Sequence, residues 1–170
     1  VVNQLEASAC DAVIGRLAGD EFTLFFPNIA NHAQAERIAC AIRDAMAAPF
    51  DLDSQQIDLG ASIGIAYYPD HGETLSALLR SADIAMYHAK STGGGSVEMF
   101  TAALAREAAG KAALEQDLRL GLERGQFVLQ FQPQIDVGQD RVLVAEALVR
   151  WNHPDRDMQM PAAFVHIAEE

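Results

Sequence analysis

Asp20 and Glu21 stand side by side behind Gly19, in the run Arg16-Leu17-Ala18-Gly19-Asp20-Glu21-Phe22. Carboxylates beside an open backbone are what a magnesium–nucleotide site requires. Their oxygens hold the hard cation, and the cation bridges to phosphates. Gly19 carries no side chain and accepts φ > 0, so a phosphate can approach the backbone closely there. A polar turn on a solvated hairpin fits the same residues. A second acidic position, Glu146, falls at the C-terminal end of a strand-like run over 142–149 and is followed by Arg150. The planar guanidinium of arginine suits a phosphate because its fork donates two hydrogen bonds. The plainer alternative leaves Glu146 exposed and Arg150 paired with a surface acid. Lys90 closes a helical run, where a cation also favours the helix's carbonyl end. Asp83 reads as a structural hydrogen bonder beside the apolar stripe of that run. His88, a lone histidine without ligand partners, reads as a surface residue.

These residues need elements to hold them. Apolar runs at 12–14 and 22–26 flank the Gly19–Asp20 turn, which predicts a β-hairpin with one carboxylate directed to each face. Residues 1–5 read as a helix tail and 8–11 as a loop. The spacing of Ile38, Ala41, Ile42, Ala45 and Met46 predicts a helix over 31–48, capped at or next to Asn31 and ended by Pro49. Strands are expected at 56–59 and 61–67, the second apolar throughout as in a strand covered on both faces. Leu75, Leu78, Leu79, Ala82, Ala85, Met86 and Ala89 make an unbroken stripe over a helix at 74–91, which Gly93-Gly94-Gly95 stops. A short strand at 97–100 comes next. A long helix at 101–124 carries Leu104, Ala108, Leu114, Leu118 and Leu122 near one face. It reads as a connector packed on the next domain, with a coiled coil as the alternative. Beyond it lie strands at 127–135, interrupted near its end by Pro133, and 142–149, then a helix from Pro161 to Ala168. Strands and helices without strict alternation point to a mixed α/β fold, helices packed against a sheet.

The totals narrow the function. A chain of 170 residues, half of them hydrophobic, can bury a core. A net charge of −12 excludes a nucleic-acid backbone binder. An acidic protein still binds a nucleotide when a metal supplies positive charge. Cys10 and Cys40 form no CxxC pair, and Cys40 reads as a small buried apolar residue. No apolar run reaches the length of a membrane span and no signal peptide opens the chain, so no membrane contact is expected of this segment. The chain starts without Met and stops inside a helical pattern, so both ends read as cut.

The hairpin motif resembles the signature of the GGDEF family, the diguanylate cyclases, with Ala18 where the first glycine usually stands. Further blocks occur in that family's order: Ala61-Ser62-Ile63-Gly64-Ile65-Ala66, Ala82-Asp83-Ile84-Ala85-Met86-Tyr87-His88-Ala89-Lys90, and Phe100. Glu146-Ala147-Leu148-Val149-Arg150-Trp151 then resembles the opening motif of an EAL domain, the cyclic di-GMP phosphodiesterases. The resemblance implies a truncated GGDEF domain over 1–100, a connecting helix over 101–125, and the start of a TIM-type EAL barrel over 126–170. It also implies the residue roles. Asp20 and Glu146 would bind Mg²⁺ or Mn²⁺, Glu21 would support the first site, and Gly19 and Lys90 would meet phosphates. Gln132 and Arg150 would contact substrate.

The implied ligands are GTP and cyclic di-GMP, in a cytoplasmic homodimer, with an inner-membrane anchor of the parent protein left open. Three departures bear on activity. At a position that needs φ > 0, Ala18 would cost about 1–2 kcal/mol. Ala9 and Ala12 occupy the family's inhibitory RxxD site, with Asp11 one place out of register, so product feedback there is not expected. Gly94-Gly95 replace an Arg-Asn pair. The resemblance places the second metal-binding Asp and the guanine-reading residues before Val1, and further EAL ligands after Glu170. Three readings stand. The first is a parent phosphodiesterase with a GTP-binding regulatory GGDEF half. The second is an active cyclase or bifunctional enzyme. The third is a catalytically silent binding or scaffold module.

Overall fold

The computed structural model describes residues 12–52 and 55–169. The helix tail expected at 1–5, the loop at 8–11, and with them Cys10 and Asp11, lie outside the described residues. The architecture is the expected mixed α/β one. It is built from short sheets and helices in two compact units, Val1–Arg106 and Glu107–Glu170.

In the first unit β1 (Val13–Ala18) and β2 (Glu21–Phe25) pair antiparallel around a two-residue turn, Gly19-Asp20. The register passes from Arg16↔Phe22 to Ala18↔Glu21, leaving Leu17 as the extra residue of a bulge. The two strands pair only with each other among the described strands, and their apolar side chains Val13, Leu17 and Phe22 stay exposed.

Helix α1 (His32–Ala47) comes next. Asn31 is extended at φ −167°, and its Oδ1 accepts the Gln34 N–H at 2.9 Å. Gln34 Oε1 in turn accepts the Ala30 N–H at 2.7 Å, so each side chain satisfies a donor the helix start leaves open. Asn31→Ala is expected to cost about 0.5–2 kcal/mol, measurable by urea unfolding of the whole chain. The buried centre of α1 is Ile38 and Ala39, whereas Ala41, expected on that face, is exposed. Ile42, Ala45 and Met46 of the expected face are half-buried, so the face the spacing predicts is kept except at Ala41.

The sheet is β5 (Ile63–Ile65) paired in parallel with β6 (Val97–Met99). Helix α2 (Leu75–Ser91) connects them and packs on both, and α1 packs on the same two strands. Ser81, Ala85 and Ala89 are the buried stripe of α2. The helix starts at Thr74, whose Oγ1 accepts the Ala77 N–H at 3.2 Å. It ends in a Schellman turn: the Gly94 N–H reaches the Ala89 carbonyl, and Gly93 takes φ +123°. The strand expected at 61–67 is thus only three residues long. The one expected at 56–59 appears earlier, as β4 (Gln55–Ile57), hairpinned with an unforeseen β3 (Phe50–Leu52).

The second unit gathers most of α3 (Ala102–Glu123), β7 (Phe127–Asp136), β8 (Arg141–Trp151), a 3₁₀ turn (Pro161–Ala163) and α4 (Val165–Ala168). Leu118, Trp151, Phe164 and Ile167 form its core, with Leu114, Phe127, Val149 and Val165 against them. Leu122, expected on the apolar face of α3, is exposed, and Gly121 is buried instead. A Cβ on Gly121 would come within 2.8 Å of Trp151 Nε1 and 3.1 Å of the Phe127 ring, so the helix presents bare backbone to the aromatic pair. Leu118 is therefore committed to this core rather than to a coiled coil. Pro133 does not interrupt β7, since it pairs with Ala145 inside the ladder. A strand accommodates proline where the nitrogen faces away from its partner. The helix expected from Pro161 breaks at Phe164, whose φ of −144° is not helical.

Candidate functional site

The predicted residues fall into two groups, one in each unit, with Lys90 outside both.

The first group is the hairpin tip. Gly19 has φ +47°, and Asp140 is the one non-glycine with positive φ among the described residues, so Asp20 has none. A positive φ at the first turn residue alone is the sign pattern of a type II′ hairpin turn. Ala18 is extended in β1, opposite Glu21, and its backbone carries no strain. The cost that a left-handed alanine would bring is absent. Arg16 Nε donates to the Gly19 carbonyl at 2.8 Å, and its guanidinium lies 5.7 Å from the Phe22 ring centroid. Sequence reasoning does not single out Arg16, although its place three residues before Gly19 lets it brace such a turn. Asp20 and Glu21 are exposed, and among the described residues no salt bridge engages either.

The second group is assembled by register. Gln132 lies directly opposite Glu146, Gln130 opposite Leu148, and Val128 opposite Arg150. Side chains alternate along strands, so all six share one face of the hairpin. Phe127, Leu129 and Phe131 share the other face with Trp151, Val149 and Ala147. Glu146 is not at a strand end: β8 runs on to Trp151, held there by Phe127 and by a bridge to Gln159. It is exposed, at mid-strand.

Arg150 is 8% exposed and has no acid partner among the described residues. Its Nε donates to Gln130 Oε1 at 3.0 Å and its Nη1 to the Val149 carbonyl at 2.9 Å. A buried guanidinium is costly without compensating hydrogen bonds, and these two fix its plane. Gln130 is the added member of this group. Its signal was the polar alternation with Gln132.

Lys90 is exposed in the last turn of α2, and no hydrogen bond or ion pair among the described residues joins it to either group. Asp83 is exposed, and among the described residues no hydrogen bond or ion pair engages its side chain, so it does not act as the structural hydrogen bonder the sequence suggests. His88 is half-buried rather than a surface residue. Its Nδ1 is shut from solvent without a hydrogen-bond partner, 3.9 Å from Glu98 Oε1. Cys40 is a free thiol, half-buried.

No cluster of three or more His, Cys, Asp or Glu suited to a metal exists among the described residues. The donor chemistry nonetheless fits a hard cation of the magnesium type. Such an ion is held by one or two carboxylates together with substrate phosphates and water, not by an all-protein cage.

Comparison with known proteins matches a family model described as "Diguanylate cyclase, GGDEF domain" to residues 3–96, and an EAL domain model to residues 115–170. MucR of Pseudomonas aeruginosa, a bifunctional diguanylate cyclase/cyclic di-GMP phosphodiesterase, is 36% identical over 157 residues, 92% of this chain and 23% of its own. The cyclic di-GMP phosphodiesterase PdeR of Escherichia coli is 36% identical over 160 residues, 94% of this chain and 24% of its own. The chain thus spans about a quarter of the length of these relatives. The crystal structure of the GGDEF domain of PA1120 (YfiN or TpbB) from Pseudomonas aeruginosa superposes with a TM-score of 0.53 at 40% identity, over 58% of this chain and 60% of that one. No helix among the described residues is long and apolar enough to cross a membrane.

Proposed function

Because this chain belongs to the GGDEF-domain family and runs into the start of an EAL domain, we propose that it is the central part of a protein of cyclic di-GMP turnover. The EAL half of that protein hydrolyses cyclic di-GMP to linear pGpG, and the GGDEF half binds GTP and regulates it. The observation that carries this reading is the shared face of β7 and β8. It sets the carboxylate of Glu146 against the amide of Gln132, with the Gln130–Arg150 pair beside them. MucR and PdeR, both named for cyclic di-GMP phosphodiesterase activity, support the same direction.

Domains of both families use divalent metal ions. Glu146 in one half and Asp20, supported by Glu21, in the other would hold Mg²⁺ or Mn²⁺. When bound, the metal supplies charge neutralisation at phosphorus and an activated water. The chain's own residues do the rest. Arg150, fixed by Gln130, offers a preset fork to a phosphate, and Gln132 orients it. Gly19 admits a phosphate to the hairpin backbone, and Lys90 adds a point charge at a helix end. The parent would be a homodimer in the cytoplasm, its domains divided at about residues 100 and 126 by α3.

One observation favours a second reading. Ala18 is unstrained in β1, so the altered signature leaves the hairpin backbone intact and an active or bifunctional cyclase remains chemically open.

The test uses the parent reading frame with divalent metal and cyclic di-GMP, with and without GTP, and separates the products. Formation of pGpG, faster with GTP, is expected. Glu146→Gln should lower its rate about 100-fold or more, since one metal-bound carboxylate is worth several kcal/mol at the reacting phosphorus. Cyclic di-GMP made from GTP, without cleavage, would establish the cyclase reading. Neither product would sink both.

A further inference from the structure

Four aromatic rings from three segments of the first unit meet where β5 ends. His71 packs edge-on to Phe100 at 5.4 Å between ring centroids, and its ring lies 5.5 Å from that of His32, the first residue of α1. His32 meets Tyr67 edge-on at 4.4 Å and pairs through Nε2 with Asp70 Oδ2 at 3.0 Å. Hydrogen bonds complete the cluster. His71 Nδ1 accepts the Tyr67 backbone N–H at 3.0 Å, and the His71 carbonyl accepts Ser81 Oγ of α2 at 2.8 Å. Tyr67 Oη donates to the Ile29 carbonyl at 3.1 Å. Ile29 lies in the short connector between β2 and α1, the segment through which the Asp20–Glu21 hairpin joins the rest of its unit.

An imidazole nitrogen that accepts an N–H has no room for a proton of its own. His71 Nδ1 is such an acceptor, so neutral His71 carries its single ring proton on Nε2. A second proton would have to enter at Nδ1, where it would confront the Tyr67 N–H donor to donor. We propose that His71 is a proton-sensitive clasp: while neutral it holds the connector, α1 and α2 to the exit of β5, and uptake of a second ring proton opens it. The groups facing His71 are His32 from α1, Ser81 from α2, Phe100 after β6, and Tyr67 and Asp70 of its own loop. Of the titratable ones, His32 when protonated repels an added proton and Asp70 attracts it, but Asp70 already pairs with His32. Burial, first, and His32, second, hold His71 below its ordinary value of 6.5, against the opposing pull of Asp70.

The sign follows from linkage. The open loop takes up the proton near pH 6.5 and the closed loop only at lower pH. The clasp is therefore at full strength above about 6.5, weakens as pH falls below that value, and levels off beneath the closed-state midpoint. Opening should rise about tenfold for each unit by which that midpoint lies below 6.5.

The test is an NMR titration of the whole 170-residue chain between pH 7.5 and 5, following the histidine rings together with exchange of the Tyr67 amide. The clasp predicts that, after correction for intrinsic exchange, Tyr67 protection falls on acidification by the factor that the His71 midpoint, read in the same titration below 6.5, sets. In His71→Asn, whose Oδ1 can accept the same N–H but does not titrate, that acid step should vanish. His32→Gln should move the His71 midpoint upward. Tyr67 protection that does not change with pH in the wild-type chain would overturn the proposal without any variant having to fold. So would an acid step that survives in His71→Asn.

Discussion

Gly64→Ala is expected to unfold the first unit. Gly64 is the middle residue of β5, and α2 crosses it so closely that a Cβ there would overlap the Ala82 carbonyl oxygen and the Met86 amide nitrogen, and sit 2.9 Å from Met86 Cα. All three are helix backbone, so no side chain can swing aside. Either α2 lifts from the sheet, exposing Ala85 and Ala89, which are now fully buried, or β5 is displaced from β6. Overpacking in cores usually costs about 1–3 kcal/mol, and a clash with rigid backbone on both sides belongs above that range, at about 4 kcal/mol or more. That is comparable to the whole stability of a small unit.

Urea unfolding followed by far-UV circular dichroism should show the loss. The fluorescence of Trp151, the only tryptophan in the chain and part of the other unit's core, should keep its transition. Gly15→Ala is the control, since nothing lies within 4 Å of a Cβ at that position. A Gly64→Ala chain as stable as the Gly15→Ala chain would mean that α2 does not seat on β5 as described.

The second large effect belongs to Trp151. Its side chain is 1% exposed and stacks on Phe127 at 5.4 Å between centroids. It meets Phe164 at 5.7 Å and His153 at 4.9 Å edge-on, and its Nε1 donates to Gln126 Oε1 at 3.1 Å. Trp151→Ala removes the largest fully buried side chain among the described residues and leaves Gln126 without its donor. The expected cost is about 3–5 kcal/mol, from lost burial and the cavity left behind. Differential scanning calorimetry of the whole chain reads it without the lost fluorophore. Leu122→Ala, on the exposed side of α3, should change stability by no more than about 0.5 kcal/mol. A Trp151→Ala change as mild as that would contradict the aromatic core.

The sequence was most legible where one local rule acted alone. Asn31 and Thr74 announced the helix starts, the glycine run announced the end of α2, and Gly19-Asp20 between apolar runs announced the hairpin. The misreadings come from residues whose role is set by a distant neighbour. Gly121 looks like a flaw in α3 and Leu122 like a core residue, until Trp151, thirty positions on, arrives to fill the space a side chain would need. Glu146 reads as lying near a strand's end because the apolar run over 142–149 stops at Arg150. The ladder continues because Arg150 is buried by hydrogen bonds to Gln130 and Val149, not by hydrophobicity. Of the candidate site, adjacency made Gly19, Asp20 and Glu21 readable as a unit. The Gln132–Glu146 pairing required the register, which the intervening residues and a bulge at Gln134/Ile135 do not announce.

The ladder of β7 and β8 has a colloidal consequence. Leu129, Phe131, Ile135, Val142, Leu143 and Val144 are all about half exposed or more, on a pair of long strands that have no further partner among the described strands. Unpaired edges with apolar side chains are templates for strand addition, and charge is what holds copies apart. With a formal charge of −12, this 170-residue chain repels its copies at neutral pH. Screening by salt or neutralisation by acid removes that repulsion and leaves the edges free to zip together. For these 170 residues handled alone, the durability of a solution is set by ionic strength and acidity as much as by folding.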